Sequence, residues 1–239
     1  MILAYHRVNP WYPDDALSVS PERFRQQIVF LLEKGWKAIS PTYLLTEILL
    51  PKGKREKKWF LVTFDDGYAD NLWYAWPVLN QLHVPVLIFL TAGYIGTREL
   101  MPRYKDRERD RFLTWQEAQL LSQEGAFFGS HSLSHRNLVE LSVKEAEKEI
   151  SASHVLLQER LKKKIEFFCY PYGAYNRTVI SLVEKAGFQA GMVTGGSKMF
   201  VSPFTLPRVG IYSHNSDFVF RIKVKMGTWK EKRFFSFWQ

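Results

Sequence analysis

The sequence predicts an α/β protein, a single domain in which parallel strands alternate with outer helices and close into a barrel of seven or eight units. Short apolar runs recur along the chain, and most are followed by a segment with helical apolar spacing and a start signal. No linker or low-complexity stretch divides the 239 residues. No G-x-G-x-x-G phosphate loop supports the rival arrangement, an open doubly wound sheet.

The opening run "ILAYH" is a strand that ends at His6. A helix follows over "SPERFRQQIVFLLEKG": Ser20 suits the N-cap and Pro21 the first turn, where no amide proton is needed. Phe24, Ile28, Leu31 and Leu32 share one face, and Gly35 suits a left-handed stop. "WKAI" reads as a strand, and "SPTYLLTEILL" repeats the Ser-Pro start. "WFLVTF" is a strand running into Asp65 and Asp66. "NLWYAWPVLNQL" is helical, and Pro77 kinks it or delays its start. "VPVLIFLT" is the next strand. Thr114 and Glu117 form a capping box for a helix that stops near Gly125. "AFFGS" is a strand ending at His131, and Ser142 with Glu145 caps a helix to about Leu161. "EFFCY" leads to Pro171, and Asn176 caps a helix that ends before Gly187. "FQAGMV" and "PRVGIY" read as late strands, and residues 215–226 as the last helix.

Composition narrows the class. Lys and Arg outnumber Asp and Glu by 33 to 24, a net charge of +9 that favours anionic partners without naming one. The basic runs "PKGKREKK" and "LKKKIE" both precede strands, which puts them on the barrel face away from the strand ends. No nucleic-acid module is recognisable, so nucleic acid is not an expected partner. Cys169 is the only cysteine, which excludes an internal disulfide and multi-cysteine zinc sites. "MILAYHRVNP" lacks the parts of a signal peptide, and no apolar run reaches the roughly 18–20 residues of a membrane span. The expectation is a cytoplasmic chain in a reducing compartment.

His6, Asp65, Asp66, His131 and Tyr172 each follow an apolar run. In a parallel barrel all strand C-termini open on one face, so distant residues converge there. Adjacent carboxylates repel and are costly to bury unless something pairs with them. "SHSLSHRNL" supplies the partner: at i, i+4 spacing, on a helical turn, His131 and His135 share a face and reach one ion. Asp66 adds an oxygen ligand. A two-histidine, one-carboxylate set leaves positions open for water and substrate, as catalytic metal sites do. Taken singly, D-D-G is common in turns and H-x-x-x-H on surface helices. Found together after separate strands of one βα chain, they point to a metal centre at the barrel mouth.

With "TFDDGY" (63–68), "SHSLSH" (130–135) and "YPYG" (170–173), the chain resembles the polysaccharide deacetylase family, also called NodB homology or carbohydrate esterase family 4. "AYHRV", "DDGYADN" and "LPRV" are most similar to the branch of poly-β-1,6-N-acetylglucosamine deacetylases. The resemblance implies a distorted, TIM-like (β/α)₇ barrel and one divalent metal, zinc foremost, with other divalent transition metals as alternatives. It implies Asp66, His131 and His135 as metal ligands and Asp65 as catalytic base. Pro171 and Tyr172 would form the groove wall, with the Tyr172 backbone N–H on the oxyanion. His6 fits the general acid of the permuted branch, and His214 in "GIYSH" is its rival. Most relatives place an Arg that tunes the base two residues before the motif's Pro; here that position is Cys169.

The implied reaction removes N-acetyl groups from amino sugars of a surface polysaccharide, oligosaccharide or lipid-linked glycan, releasing acetate. Hydrolysis of another non-peptide C–N bond, of the cyclic-amide type, is the alternative enzyme reading. An inactive carbohydrate-binding scaffold is the alternative outside enzymes, and the missing Arg leaves room for it. Trp11, Tyr12, Tyr68 and Tyr172 read as lying on or near the mouth loops and can stack on sugars, whereas Trp73, Tyr74 and Trp76 read as helix packing. The span 92–113 is long for a strand-to-helix connection and reads as a lid or as a solvated loop. Residues 1–226 form the catalytic domain. In the tail 227–239, Lys and Arg interleave with Trp229, Phe234, Phe235, Phe237 and Trp238, a pattern that fits peripheral membrane contact.

Overall fold

The structure, a computed structural model, describes residues 1–49, 58–97, 110–194 and 202–236. The basic run at 51–57 and most of the 92–113 span lie outside the described residues, as do the side chains of the tail.

The strands and helices follow the expected order. They are β1 (Ile2–Tyr5), β2 (Arg7–Val8), β3 (Ser18–Val19), α1 (Pro21–Glu33), β4 (Lys37–Ala38), α2 (Pro41–Leu49), β5 (Trp59–Phe64), α3 (Trp76–Gln81) and β6 (Val86–Leu90). The second half continues with α4 (Trp115–Gln123), β7 (Phe127–Ser130), α5 (Val143–Leu161), β8 (Phe167–Cys169), α6 (Arg177–Lys185), β9 (Ala190–Thr194), β10 (Leu206–Gly210) and α7 (Asp217–Ser236). The start signals act as read. Ser20 accepts from the Arg23 amide, Asn176 from the Val179 amide, and both predicted capping boxes are formed.

Seven parallel strands close into a barrel in the order β1-β10-β9-β8-β7-β6-β5, and β5 returns to β1 with Leu3 opposite Val62. Short β4 pairs with the start of β5, and β2 with β3 makes a separate ribbon. Two-residue strands carry no readable periodicity, so this ribbon had no sequence signal. The stretch 71–82 is not one helix. A π-turn over Asn71–Ala75 precedes α3, so Pro77 falls in the first turn, where its missing amide proton costs nothing. At the other end, α7 runs as one continuous backbone across the 226/227 boundary.

Period two along each strand divides the core. Ile2, Leu61, Leu87, Phe89, Phe167, Cys169, Ala190, Met192 and Leu206 pack together inside the barrel. Their alternates, such as Leu3, Tyr5, Phe60, Val62, Ile88 and Phe168, face the helices. Extending the inner parity towards the strand C-termini brings Thr63 and Asp65, His131, and Arg208 to the mouth of the barrel. The fold thereby decides which polar side chains meet.

Candidate active site

Asp65 and Asp66 are separated by backbone conformation. Asp65 still follows β5, its amide donating to Tyr5 O at 3.0 Å. Asp66 and Gly67 then take φ of 72° and 85°, so the chain turns and the two carboxylates leave in different directions. Glycine at 67 meets both demands: positive φ, and a site where a Cβ would lie 2.6 Å from Leu90 Cδ2. The adjacent aspartates thus acquire different partners.

Asp66 faces the histidines. Its Oδ1 lies 3.5 Å from His131 Nε2 and 3.5 Å from His135 Nε2, and one ligand atom from each of the three residues lies within 4.8 Å of the others. The helical turn expected for His131–His135 is not formed. The segment is a loop in which Ser132 and His135 take φ of 64° and 58°. Local bonds hold it: Ser132 Oγ accepts from the His135 amide at 3.0 Å. Glu149, from α5, accepts from the Leu133 and Ser134 amides at 3.1 and 2.8 Å and from Ser134 Oγ at 2.6 Å. His131 Nδ1 lies 2.8 Å from Cys169 O, an arrangement that puts the ring proton on Nδ1 and leaves Nε2 with a lone pair towards Asp66. Burial, with His135 beside it, pushes His131 down to about 3, so its ring is neutral and able to ligate. One carboxylate oxygen and two neutral imidazole nitrogens fit a divalent transition metal such as zinc. Asp65, His131 and Cys169 meet the same distance limit, but burial holds the Cys169 thiol protonated, and Arg208 bonds both Asp65 and the sulfur.

Glu149→Ala should leave two loop amides without their acceptor. The expected result is metal affinity lower by roughly 10–100-fold, read by metal titration, with the fold kept.

Asp65 is paired with a residue that the sequence did not single out. Arg208 donates from Nη1 and Nη2 to the two Asp65 oxygens, 2.7 Å each. Nη1 also reaches Thr63 Oγ1 at 2.9 Å, and Nη2 lies 2.9 Å from Cys169 Sγ. The arginine absent at 169 is therefore matched by one from another strand, and an arginine at 169 would collide with it. Burial would raise the Asp65 pKa, but the Arg208 charge and hydrogen bonds outweigh it and hold the carboxyl well below the usual range. The readable signal was parity: in "LPRV", Leu206 and Arg208 share the inward face, and a charge buried in a barrel needs a partner of opposite sign.

His6 stands at the mouth, its Nε2 3.8 Å from Asp65 Oδ2. His214 is exposed, stacks on Tyr212 with ring centres 5.6 Å apart, and does not line the cavity. The geometry brings together His6 and leaves its rival outside. Tyr172, at φ 60°, is 69% exposed and sets its ring edge-on to His135 at 4.8 Å. Pro171, the first residue of that turn, is buried, a support rather than a contact surface. Tyr68 departs from expectation: it is fully buried, stacked on Phe112 and covered by the Arg7 guanidinium, so it cannot stack on a sugar. Trp11 packs edge-on against Trp73 and Tyr74 and does not line the cavity. That cavity, about 510 Å³, is bordered by His6, Asp65, Asp66, His131, His135 and Tyr172, with Arg208 in its wall.

The sequence matches the family model for polysaccharide deacetylase over residues 52–191. The chain belongs to the polysaccharide deacetylase family. Among family members, YxkH of Bacillus subtilis is 27% identical over 213 residues, 88% of this chain and 70% of that protein. The poly-β-1,6-N-acetyl-D-glucosamine N-deacetylase of Staphylococcus aureus is 26% identical over 184 residues, 73% of this chain and 60% of that protein. The fold matches Streptococcus pyogenes deacetylase PplD, solved with acetate, at a TM-score of 0.78 and 22% identity, covering 93% of this chain and 96% of that one. It matches IcaB from Ammonifex degensii at 0.76 and 23%, covering 94% and 95%. The segment matched by the deacetylase model carries Asp65, Asp66, His131, His135 and Tyr172. His6 and Arg208 lie outside it and join the site through barrel closure.

Proposed function

We propose that this protein is a metal-dependent hydrolase that removes N-acetyl groups from amino sugars of a polymeric or oligomeric glycan, releasing acetate. One observation carries the reading: a three-ligand Asp66–His131–His135 set, an Arg-paired carboxylate and a histidine border one open cavity at the barrel mouth. The named activity of the Staphylococcus aureus relative supports the choice of sugar.

Asp66, His131 and His135 would hold a divalent ion, which supplies Lewis acidity towards a water and the acetyl carbonyl. Asp65, kept ionised by Arg208, takes the proton of the attacking water. The Tyr172 backbone N–H donates to the oxygen on which negative charge develops. His6 Nε2 protonates the leaving nitrogen, because expulsion of an amide anion is prohibitive. The amide C–N bond breaks, and the products are acetate and a free amine. The exposed Tyr172 ring offers an apolar wall to the sugar.

Acetate release from N-acetylglucosamine oligomers is the direct test, run with chelator and with metal restored. The expected result is release that chelator abolishes and zinc or another divalent metal restores. Turnover of cyclic amides with none on the oligomers would favour the other C–N bond chemistry. No turnover on either, with tight glycan binding, would favour a scaffold; the intact ligand set and Arg208 weigh against it.

The outer face of α7 adds a partner to the same proposal. Phe218, Ile222 and Met226 are exposed at four-residue intervals, flanked by exposed Arg221 and Lys225. An apolar stripe bordered by cations suits an anionic bilayer surface, at about 1 kcal/mol per cation near the headgroups. No described helix is long and apolar enough to cross a membrane. Co-sedimentation with anionic vesicles, weakened by Phe218→Ser with Ile222→Ser and absent with neutral vesicles, is the expected result.

A further inference from the structure

The imidazole of His6 has little to orient it. No described residue hydrogen-bonds its Nδ1, and its Nε2 is 3.8 Å from Asp65, beyond hydrogen-bond reach. The ring's place therefore depends on the backbone that carries it, and that backbone is anchored on its C-terminal side.

Arg7, the next residue, is 1% exposed. Its Nε donates to Asp70 Oδ2 at 2.9 Å and its Nη1 to Asp110 Oδ2 at 2.8 Å, and Nη2 bonds the other Asp110 oxygen. Asp15 Oδ2 lies 3.7 Å from Nη1, and the guanidinium covers the Tyr68 ring at 4.6 Å. Asn9 Nδ2 donates to Asp70 Oδ2 at 2.9 Å. Asn71 Nδ2 lies within bonding distance of Asp70 Oδ1 and of the His6 carbonyl itself, 3.1 Å in each case.

These contacts join three pieces of the rim. Asp70 and Asn71 follow the Asp65-Asp66 turn. Asp110 begins the segment that pairs back onto that turn, with Ala69 N donating to Arg111 O and Leu113 N to Gly67 O, both at 2.9 Å. Arg7 belongs to β2, outside the barrel sheet. One planar fork holds the His6 strand end, the carboxylate turn and the far loop in a single arrangement.

We propose that Arg7, with Asp70, Asn71 and Asp110, is a positioning group that sets His6 over the leaving nitrogen. The proposal rests on the reading of His6 as general acid. A lysine at 7 keeps the charge but cannot span both carboxylates. Burial pushes Asp70 up to about 6 against the pull of Arg7. Asp110→Asn keeps the side-chain shape and leaves Arg7 with Asp70 and Asp15, so it should fold.

The test compares two substrates. An N-acetyl amide needs a proton on its leaving nitrogen; 4-nitrophenyl acetate does not, because its phenolate leaves unprotonated. Both need the metal ligands and Asp65. A misplacement of about 1 Å at a reacting group costs up to ~10²-fold. Arg7→Lys and Asp110→Asn should therefore lower amide kcat by roughly 10–100-fold, with amide KM and ester turnover within about threefold of wild type. His6→Ala is the reference and should show the same split more strongly, at about 10²–10⁴-fold on the amide. If His6→Ala shows the split and the two rim variants lose amide and ester turnover in equal proportion, or lose neither, the positioning role is overturned. If His6→Ala spares amide turnover, the acid assignment itself fails, whatever the rim variants do. Where Arg7→Lys does not fold, Asp110→Asn decides.

Discussion

Replacing Arg208 with methionine should lower turnover by about 10²-fold or more at neutral pH and move the acidic limb of the rate profile to higher pH. Asp65 is placed to accept a proton only while ionised. Two opposed effects set its state: burial favours the neutral acid, and the Arg208 charge and hydrogen bonds favour the carboxylate and prevail. Without the guanidinium, the main opposition to burial is gone. The carboxyl then takes up its proton at a higher pH than before, and activity lost at mildly acidic pH returns only as pH rises. Removing one partner of a buried pair also costs about 3–5 kcal/mol of stability, so the melting temperature should fall. Arg208→Lys separates the two effects. It restores a charge but not the double hydrogen bond, and should recover part of the stability and part of the shift. The measurement is kcat/KM against pH on metal-loaded enzyme. A profile unchanged in Arg208→Met would remove Arg208 from the mechanism.

The second large effect separates the paired aspartates. Asp65→Asn should keep metal binding near the wild-type level while kcat falls by about 10²–10⁴-fold, because only the proton acceptor is lost. Asp66→Asn should lose metal affinity as well, since its carboxylate oxygen is the one 3.5 Å from both histidine nitrogens. Metal content by elemental analysis, alongside acetate release, distinguishes the two. Equal loss of metal in both variants would mean that the carboxylates share the ion and that Asp65 is no separate base.

Much of the site was readable because its signals are local. Asp65 and Asp66 end an apolar strand, and His131 with His135 follow another, so chain order and period two sufficed to place them at one rim. What was misread depended on packing. The i, i+4 histidines converge through two left-handed residues and the Glu149 carboxylate, not through a helical turn. Tyr68 belongs to the core because the segment after Asp110 folds back over it. Arg208 reaches Asp65 from β10, a different strand from position 169 where relatives have an arginine, so the motif around Pro171 does not point to it.

By itself the sequence determined the alternation of strands and helices, the helix starts at Ser20, Thr114, Ser142 and Asn176, and the motif residues Asp65, Asp66, His131 and His135. These depend on bonds to neighbours a few residues away and on a burial period of two. The tertiary structure alone decided that Arg208 meets Asp65, that His6 and not His214 stands at the cavity, and that Arg7 ties three rim segments together. Those pairings join distant parts of the chain. Only closure of the barrel brings such charges within 3 Å of each other and away from water, where their attraction is strong enough to set both geometry and protonation.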